Sequence, residues 1–417
     1  MTSIQSIAAS LAIILIDLLG RAGLDKVLAL ANSPAEIGLW AQLQSVFDLI
    51  AGVAITGVLQ GLTVMTAQTR DPRDEAGLLQ SALKLALAIS ICLSLIVALV
   101  TVVLATKRSL GGLERDLVMI AIAAGCAFVI PATVNAYWLG KHQQQRMLAL
   151  AVLLGMVWLL VAVAAWFGFS LRGLMLIQSI ALLALGTILW RYLLKKGHLA
   201  ECSEEHKEYI SKLMKFVPAG LAIGIMSPVS MLLIRGLLSK MLSWNDVGFL
   251  QALWRSTDWI TATSAGILSL VFLPRLSSAY GSATFKTELI KGGLIVLVPA
   301  GILMLLLFFY QREVLSLLYD SRFVVSNLAA ALFMLGSWVR IASWVFLFGL
   351  FAAHRTWMIV IGEVLSLPLF ALLLWCFGTG MTLERAASLF LLSYLVYLIF
   401  NAVALIQVSD RVLSRPT

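Results

Sequence analysis

Residues 36–48 read EIGLWAQLQSVFD, and residues 246–258, which lie 210 positions further on, read DVGFLQALWRSTD. Each stretch begins with an acid, a β-branched residue and a glycine, and each ends on an aspartate, Asp48 or Asp258. The offset is about half of the 417-residue chain. The pairing therefore indicates two related halves, an arrangement that is common among transporter folds.

The composition predicts an all-α membrane protein. Hydrophobic residues make up 61% of the chain and charged residues 12%, and the mean hydropathy is +0.98, far from the values of soluble domains. A run of about 20 apolar residues crosses the hydrocarbon core as a helix. Twelve such spans are predicted, at 4–31, 36–69, 76–105, 116–140, 146–168, 172–194, 212–241, 246–274, 286–310, 325–353, 356–377 and 385–408.

The most polar segment lies at the middle of the chain, between residues 191 and 215. It predicts an amphipathic cytoplasmic linker at 196–211 between an N-terminal lobe, 1–195, and a C-terminal lobe, 212–417, with six helices each. Fifteen lysines and arginines fall on one side of the predicted spans and eight on the other. This excess places both termini in the cytoplasm. The net charge of +9 is then explained by anionic lipid, with no need for nucleic acid.

Charged residues inside the predicted spans are the main functional signal. A charge at the bilayer centre costs roughly 2.5–3.5 kcal/mol even on lenient scales, so such residues usually face a cavity and mark a transport path. The acids are Asp17, Asp25, Asp48, Asp258 and Glu363, and the deep arginines are Arg21, Arg235, Arg255 and Arg340. For Asp17, Arg21 and Asp25 an alternative stays open, because their four-residue spacing lets them neutralise one another on one helix face.

Polar seams accompany these charges on the second and eighth spans. Gln251, Arg255 and Asp258 share one face of the eighth span, and Gln44 lies one turn before Asp48 on the second. Both seams are expected to face protein or water. Small residues in the second span also suit close helix packing, which is the alternative interpretation there.

Motifs of enzymes and metal sites are missing from the sequence. The four cysteines are scattered singly, and the four histidines lack the paired spacing of a zinc site. No phosphate-binding loop and no long loop for a catalytic domain is present. We therefore expect a transporter rather than an enzyme, with neither a metal nor a cofactor.

Two stretches carry a resemblance to a known family. The first stretch runs from Ser33-Pro34-Ala35 through Gly38-Leu39 and continues with Gly57, Gly61, Thr63, Ala67 and Gln68. The second stretch comprises Leu237-Leu238, Ser243-Trp244-Asn245-Asp246-Val247-Gly248 and Leu273-Pro274-Arg275-Leu276. They resemble the Wzx-type polysaccharide flippases of the multidrug/oligosaccharidyl-lipid/polysaccharide exporter superfamily, above all those for the lipid-linked oligosaccharide of enterobacterial common antigen. Similar length and the twelve-span layout extend the likeness to the whole chain.

The resemblance implies two six-helix lobes around a central V-shaped cavity lined by the first, second, seventh and eighth helices. It implies that an undecaprenyl diphosphate carrying an oligosaccharide, such as an O-antigen repeat unit, moves from the cytoplasmic to the periplasmic leaflet of the bacterial inner membrane by alternating access. The candidate diphosphate ligands are Arg21, Arg235, Arg255 and Arg340. The candidate charge-balancing or ion-coupling acids are Asp17, Asp25, Asp48, Asp258 and Glu363, and the candidate polar lining residues are Gln44 and Gln251. Asp17 departs from the family, whose members often have a basic residue there.

Further expectations concern partners and driving force. The resemblance implies contact with membrane lipids, action as a monomer, and the polymerase and chain-length proteins of the same glycan pathway as candidate partners. Burial disfavours the charged form of an acid, so proton or cation antiport is a candidate drive, with Glu363 or Asp258 as carrier.

Two other functions stay open. A multidrug or metabolite antiporter of the related multidrug and toxin extrusion group would share the fold, but export of organic cations favours an acidic cavity. A membrane-bound glycan transferase would need a polar catalytic loop.

Overall fold

The computed structural model describes residues 3–69, 71–106, 114–141, 143–195, 206–215, 217–282, 284–353 and 355–413. In this part of the chain every regular element is a helix, which confirms the all-α fold class. The chain divides into two compact units, Met1–Leu232 (unit 1) and Leu233–Thr417 (unit 2).

Helices α1 to α8 and the short π-helix π1 lie in unit 1, α9 spans the division, and the other elements lie in unit 2. The elements before the division are α1 Ser3–Ala31, α2 Pro34–Ala54, π1 Ile55–Leu59, α3 Gln60–Gln68, α4 Pro72–Thr106, α5 Arg115–Gly140, α6 Gln144–Trp166, α7 Leu171–Lys195 and α8 His206–Met214, followed by α9 Val217–Met241. Those after it are α10 Trp244–Ile267, π2 Leu268–Phe272, α11 Leu273–Ala279, α12 Phe285–Phe309, α13 Gln311–Leu318, α14 Asn327–Ala352, α15 Thr356–Val364, α16 Leu367–Cys376 and α17 Leu383–Leu413.

Helices α2 and α10, which begin the second and eighth predicted spans, share one kind of N-terminal cap. The Ser33 hydroxyl accepts a hydrogen bond from the Glu36 backbone N–H at 3.4 Å, and the Glu36 carboxylate accepts one from the Ser33 backbone N–H at 3.0 Å. The Ser243 hydroxyl accepts one from the Asp246 backbone N–H at 3.2 Å and donates to the Asp246 carboxylate at 2.6 Å. Glu36 and Asp246 thus act as capping residues, and the sequence repeat is also a structural one.

The same two spans contain a π-helical turn at corresponding places. Segment π1 follows α2, and π2 follows α10. The helix axis bends by 46° between Pro34–Gly52 and Gly57–Ala67, and π1 begins in the break between these two segments. A π turn shifts the backbone hydrogen bonding by one residue and commonly accounts for such bends.

The structure corrects three helix assignments. The seventh span was predicted at 212–241, but α8 ends at Met214 and α9 begins at Val217. The eleventh, predicted as one helix over 356–377, divides into α15 and α16. Pro218 and Pro368 lie just after these two breaks, and because proline has no backbone N–H it interrupts the helical hydrogen bonding. Helix α13 lies in a region that was predicted to be a loop.

Each of the twelve predicted spans overlaps at least one helix. Among the described residues, eight helices are long and apolar enough to cross a membrane, or nine if the bent pair in the second span counts as one. A multi-pass membrane protein is therefore confirmed, whereas the number twelve stays a prediction.

The linker predicted at 196–211 is described only from His206 onwards, where it forms α8. This helix packs on the start of α4. The Tyr209 hydroxyl donates a hydrogen bond to the Asp74 carboxylate at 2.9 Å, and Leu213 is buried. The first part of α9 belongs to unit 1, where the Gln42 amide donates to the Leu232 carbonyl oxygen at 3.0 Å. The compact units thus divide after the predicted linker, and the lobes 1–195 and 212–417 stay a prediction.

A close contact between α2 and α5 supports the core of unit 1. A β-carbon added at Gly125 would lie 2.7 Å from the Ile50 β-carbon and 3.1 Å from the Phe47 carbonyl oxygen. Only glycine lets the two helices approach this closely. Ala121 and Ala124, which lie beside this contact on α5, are fully buried, so the helices cannot move apart without opening the core.

We expect Gly125→Ala to lower the stability of the protein by about 1–3 kcal/mol, the usual cost of overpacking a core. The measurement is the thermal unfolding temperature of purified protein in detergent. Gly23→Ala is the matched control, since an added β-carbon at Gly23 meets nothing within 4 Å. Equal unfolding temperatures for the two variants would contradict the close packing.

Candidate functional site

Arg235 and Gln251 form a direct pair in unit 2. Arg235 lies on α9 and Gln251 on α10, and the Arg235 guanidinium Nη2 donates a hydrogen bond to Gln251 Oε1 at 2.8 Å. Only 7% of Arg235 is exposed, and its neighbours Ile234 and Leu238 are buried. The buried apolar neighbours fix this part of α9, and the hydrogen bond to the Gln251 amide orients the guanidinium.

Asp258 and Arg340 form a second pair in unit 2. The Asp258 carboxylate on α10 lies 4.0 Å from the guanidinium Nη1 of Arg340 on α14. The same guanidinium lies over the Trp344 ring, 4.7 Å from its centroid, and 5.8 Å from the Tyr394 ring centroid. Arg340 thus has the Asp258 carboxylate and two aromatic faces beside it, and both kinds of group attract a cation.

An aromatic cluster fixes the helices that carry this pair. Trp254 on α10 lies 5.3 Å from the Phe333 ring on α14 and 5.2 Å from the Phe390 ring on α17, centroid to centroid. Phe333 and Phe390 stack with centroids 4.4 Å apart. The cluster lies one turn before Asp258 on α10, so the carboxylate projects from a rigid segment.

Glu363 lies next to the break between α15 and α16. Its carboxylate accepts a hydrogen bond from the Tyr397 hydroxyl of α17 at 2.8 Å. An added β-carbon at Gly362 would lie 2.7 Å from Asn401 Oδ1 and 3.3 Å from a Tyr397 ring carbon. Gly362 therefore lets α15 lie close to α17, and Asn401 is fully buried there. The result is a polar site between α15 and α17, at the end of a broken helix.

In unit 1, Arg21 lies over an indole ring. Its guanidinium carbon is 5.2 Å from the ring centroid of Trp158. Gly20 makes room for this ring, because an added β-carbon would lie 3.3 Å from it. Arg21 and Asp25 are half-buried and Asp48 is exposed. Asp17 lies in α1, but its side chain is outside the described residues.

Gln44 contacts a neighbouring helix of unit 1. Its amide donates to the Gln178 side-chain oxygen of α7 at 2.9 Å, and Gln178 is fully buried. A pair of neutral amides between α2 and α7 stabilises helix packing. The role of Gln44 as a residue that lines a cavity stays a prediction.

The predicted site residues thus fall into two sets. Unit 1 contains Asp17, Arg21, Asp25, Gln44 and Asp48, and unit 2 contains Arg235, Gln251, Arg255, Asp258, Arg340 and Glu363. Within unit 2 the structure brings together Arg235 with Gln251 and Asp258 with Arg340. A cavity shared by the two sets stays a prediction.

Sequence reasoning missed the residues that hold these groups. Trp158, Trp344, Tyr394 and Tyr397 are aromatic residues in apolar spans, and nothing in their pattern distinguishes them from lipid-facing residues. Asn401 did carry a signal, since it is an amide inside the predicted twelfth span. In the part of the chain that the structure describes, no three His, Cys, Asp or Glu side chains cluster to hold a metal ion.

Comparisons with known proteins agree with this architecture. No protein-family model matches the chain. The Lipid III flippases of Escherichia coli (strain K12) and Shigella flexneri are each 22% identical over 391 residues, which is 89% of this chain and 90% of either relative.

Among solved structures, a multidrug resistance MATE family transporter of the MOP superfamily, in its inward-facing conformation, has a TM-score of 0.68 at 14% identity. That match covers 97% of this chain and 94% of the structure. The lipid II flippase MurJ, in an inward closed conformation, has a TM-score of 0.66 at 12% identity. That match covers 99% of this chain and 91% of the structure. At such identities the structural likeness establishes the fold alone, while the sequence relatives are flippases rather than enzymes. The resemblance read from the residues around Ser33 and Ser243 is confirmed: the chain is similar in sequence to Lipid III flippases, and its fold is similar to that of a MATE family transporter and of the flippase MurJ.

Proposed function

We propose that this protein moves an undecaprenyl-diphosphate-linked oligosaccharide from the cytoplasmic to the periplasmic leaflet of the inner membrane. The observation that carries the proposal is Arg235, an arginine that is almost fully buried in an apolar helix and oriented by a polar partner. An arginine at such a place is costly and usually functional. The curated relatives support the same substrate class, since they are named Lipid III flippases.

The diphosphate would bind to Arg21, Arg235 and Arg255. A diphosphate has about two negative charges and many acceptor oxygens, and planar guanidinium groups bind such groups well. Arg21 and Arg255 are half-buried, which leaves part of each side chain accessible to a substrate. The two units would alternate between openings to the cytoplasm and to the periplasm.

Arg340 has a different role in this proposal. Because the Asp258 carboxylate and two aromatic rings surround it, we assign Arg340 as a counter-ion within unit 2 rather than as a diphosphate ligand. Asp25, Asp48 and Asp258 would balance the arginines when no substrate is bound. Their negative charges would then compete with the diphosphate and favour its release.

Proton or cation antiport would drive the cycle. Glu363 is the carrier that the geometry favours, because it lies at a helix break and its carboxylate has a tyrosine hydroxyl as partner. Asp258 is the second candidate, and the Arg340 guanidinium lies 4.0 Å from its carboxylate.

The alternative is export of organic cations, which the fold also permits. A cation exporter would need acids to dominate its binding site, and the deep arginines of both units argue against it. We therefore retain the flippase as the proposed function. Both termini would lie in the cytoplasm, in agreement with the distribution of lysine and arginine.

Complementation tests the proposal. In cells depleted of their own flippase for a lipid-linked oligosaccharide, this lipid accumulates in the cytoplasmic leaflet. Expression of the protein should abolish the accumulation and restore glycan on the periplasmic side. Persistent accumulation, in cells whose membranes contain the full-length protein, would contradict the proposal.

A further inference from the structure

Helix α13, Gln311–Leu318 in unit 2, has an apolar face that lies outside the protein core. We propose that α13 is an interfacial helix, which lies in the headgroup layer of one leaflet and inserts this face among the lipid acyl chains. The proposed partner is the phospholipid bilayer. The inference does not depend on the transported substrate, because it concerns only where α13 lies in the membrane.

The surface of α13 divides into three faces. The first packs on unit 2: Gln311 and Leu315, one helical turn apart, are buried, and the Gln311 amide donates a hydrogen bond to Asn327 Oδ1 of α14 at 2.7 Å. The second face is polar and exposed and consists of Arg312, Glu313 and Ser316. The third face is apolar, with a spacing of three and four residues that puts its members on one side of the helix, and consists of Val314, Leu317 and Leu318.

The third face is the observation that calls for a partner. Leu317 is 73% exposed, and Val314 and Leu318 are half-buried. The contacts of Gln311 and Leu315 fix the rotation of α13 about its axis, so this face cannot turn inward. Apolar area in water is unfavourable. An amphipathic helix at a membrane surface avoids that cost by placing its apolar side at the boundary of headgroups and acyl chains.

The preceding helix places α13 at the edge of the bilayer. Helix α12 is long and apolar enough to cross a membrane. Phe309 at its end and Tyr310 just after it are 67% and 59% exposed, and an exposed tyrosine is typical of the headgroup level. Val298 lies near the middle of α12, roughly 16 Å from Phe309 along the helix. This distance is about half the thickness of the hydrocarbon core, so α13 begins where the core ends.

The segment after α13 sets the opposite limit. Asp320 and Arg322 form an ion pair there, and charged groups are costly inside hydrocarbon. Helix α13 therefore lies between an apolar span and a charged turn. Its apolar face continues, along the chain, the exposed apolar surface of α12, where Leu305 and Leu306 are also exposed. Lipid that surrounds α12 thus extends to α13.

Aromatic contacts connect α13 with α10. Phe323, just after the charged turn, is buried, and its ring lies 5.6 Å from the Phe249 ring of α10, centroid to centroid. The Tyr319 ring lies 5.1 Å from that of Phe323. Through these rings, α13 in the headgroup layer holds the start of α10, the helix that carries Arg255 and Asp258, at a defined depth in the membrane.

Fluorescent labels at single cysteines test this depth. In full-length protein whose four natural cysteines are replaced by alanine, Leu317→Cys, Glu313→Cys or Val298→Cys would carry an environment-sensitive fluorophore, in vesicles of phosphatidylethanolamine and phosphatidylglycerol. Val298 is exposed on α12 and Glu313 on the polar face of α13, so they serve as references for the bilayer core and for water. Each label replaces an exposed side chain, so the three labelled proteins should unfold at the temperature of the unlabelled protein.

We expect the Leu317→Cys label to have blue-shifted emission and to be quenched most by lipid that is brominated near the headgroup. The Val298→Cys label should be quenched most by lipid brominated near the chain ends, and the Glu313→Cys label should emit as in water with little quenching.

Three results would overturn the inference. Equal emission and quenching for the Leu317→Cys and Glu313→Cys labels would place both in water. Blue-shifted emission of the Leu317→Cys label without quenching by either lipid would mean that protein, such as a second copy of this chain, covers the face. Strongest quenching of that label by lipid brominated near the chain ends would place α13 in the bilayer core rather than in the headgroup layer.

Discussion

Replacement of Arg235 or Arg255 by alanine is expected to stop transport of the lipid-linked oligosaccharide and to make it accumulate in the cytoplasmic leaflet. Each guanidinium would donate charge-assisted hydrogen bonds to the diphosphate, and a hydrogen bond to a charged group contributes about 1.5–3 kcal/mol. The loss of one such bond lowers binding roughly tenfold to hundredfold. An arginine that donates two bonds would have a larger effect.

Lysine at either position should restore transport in part. It keeps the positive charge but lacks the planar pair of donors that matches phosphate oxygens. Arg172→Ala is the matched control, since Arg172 is exposed and forms a surface ion pair with Asp116 at 2.7 Å, a type of contact that contributes little. Full transport by both Arg235→Ala and Arg255→Ala, at natural protein levels, would make these arginines structural and reopen the antiporter alternative.

The second large effect is expected for Glu363→Gln, which should uncouple transport from the proton gradient. Glutamine keeps an oxygen that can accept the Tyr397 hydrogen bond, so the packing between α15 and α17 should be preserved. It cannot bind and release a proton. Transport by the variant should therefore be slow and equal with and without a pH gradient, whereas the natural protein should be accelerated by the gradient.

Proteoliposomes with an imposed pH gradient provide the measurement. Glu313→Gln is the control, because Glu313 is an exposed residue of α13 and its loss should leave the gradient response intact. An unchanged gradient response in Glu363→Gln would exclude Glu363 as carrier. Gradient-independent transport by the natural protein would contradict proton coupling altogether.

The sequence predicted the repeat for a reason that the structure makes clear. Glu36 and Asp246 stand at corresponding places because each caps a helix together with a serine three residues earlier. Capping is a local interaction, so it leaves a readable pattern of a few residues. The all-α class was predictable for a similar reason, since apolar runs of helix length follow from the membrane alone.

The internal breaks of the spans were less predictable. Pro368 lies just after the break between α15 and α16 and is the signal for it. The hydropathy of the span does not show the break, because the residues on both sides of it are apolar. The π turns at Ile55–Leu59 and Leu268–Phe272 leave no recognisable pattern, because they depend on how neighbouring helices pack. The partners of the buried charges were hidden as well: an indole ring such as that of Trp158 acts on an arginine only once two distant helices are brought together.

Among the candidate residues, composition singled out the charges but could not rank them. Arg235 and Arg340 are equivalent in a list of deep arginines. Only the structure shows that Arg235 donates a hydrogen bond to the Gln251 amide and that Arg340 lies near the Asp258 carboxylate and two aromatic rings. Gln44 was singled out as a polar residue of the second span, but its hydrogen bond to Gln178 could not be predicted. Contacts between helices decide these roles, and a single sequence does not contain them.

The most direct measurement of the central claim follows the lipid-linked oligosaccharide itself. Purified protein would be reconstituted into liposomes that contain undecaprenyl-diphosphate-linked oligosaccharide in both leaflets, and a membrane-impermeant lectin would report the glycan that is reachable from outside. The lectin binds the oligosaccharide in the outer leaflet. We predict that the protein then moves oligosaccharide from the inner to the outer leaflet, so that the lectin binds this fraction as well, and that Arg235→Ala abolishes this movement. If the reachable fraction stays at the level of protein-free liposomes while the same preparation transports an organic cation, the flippase proposal is wrong.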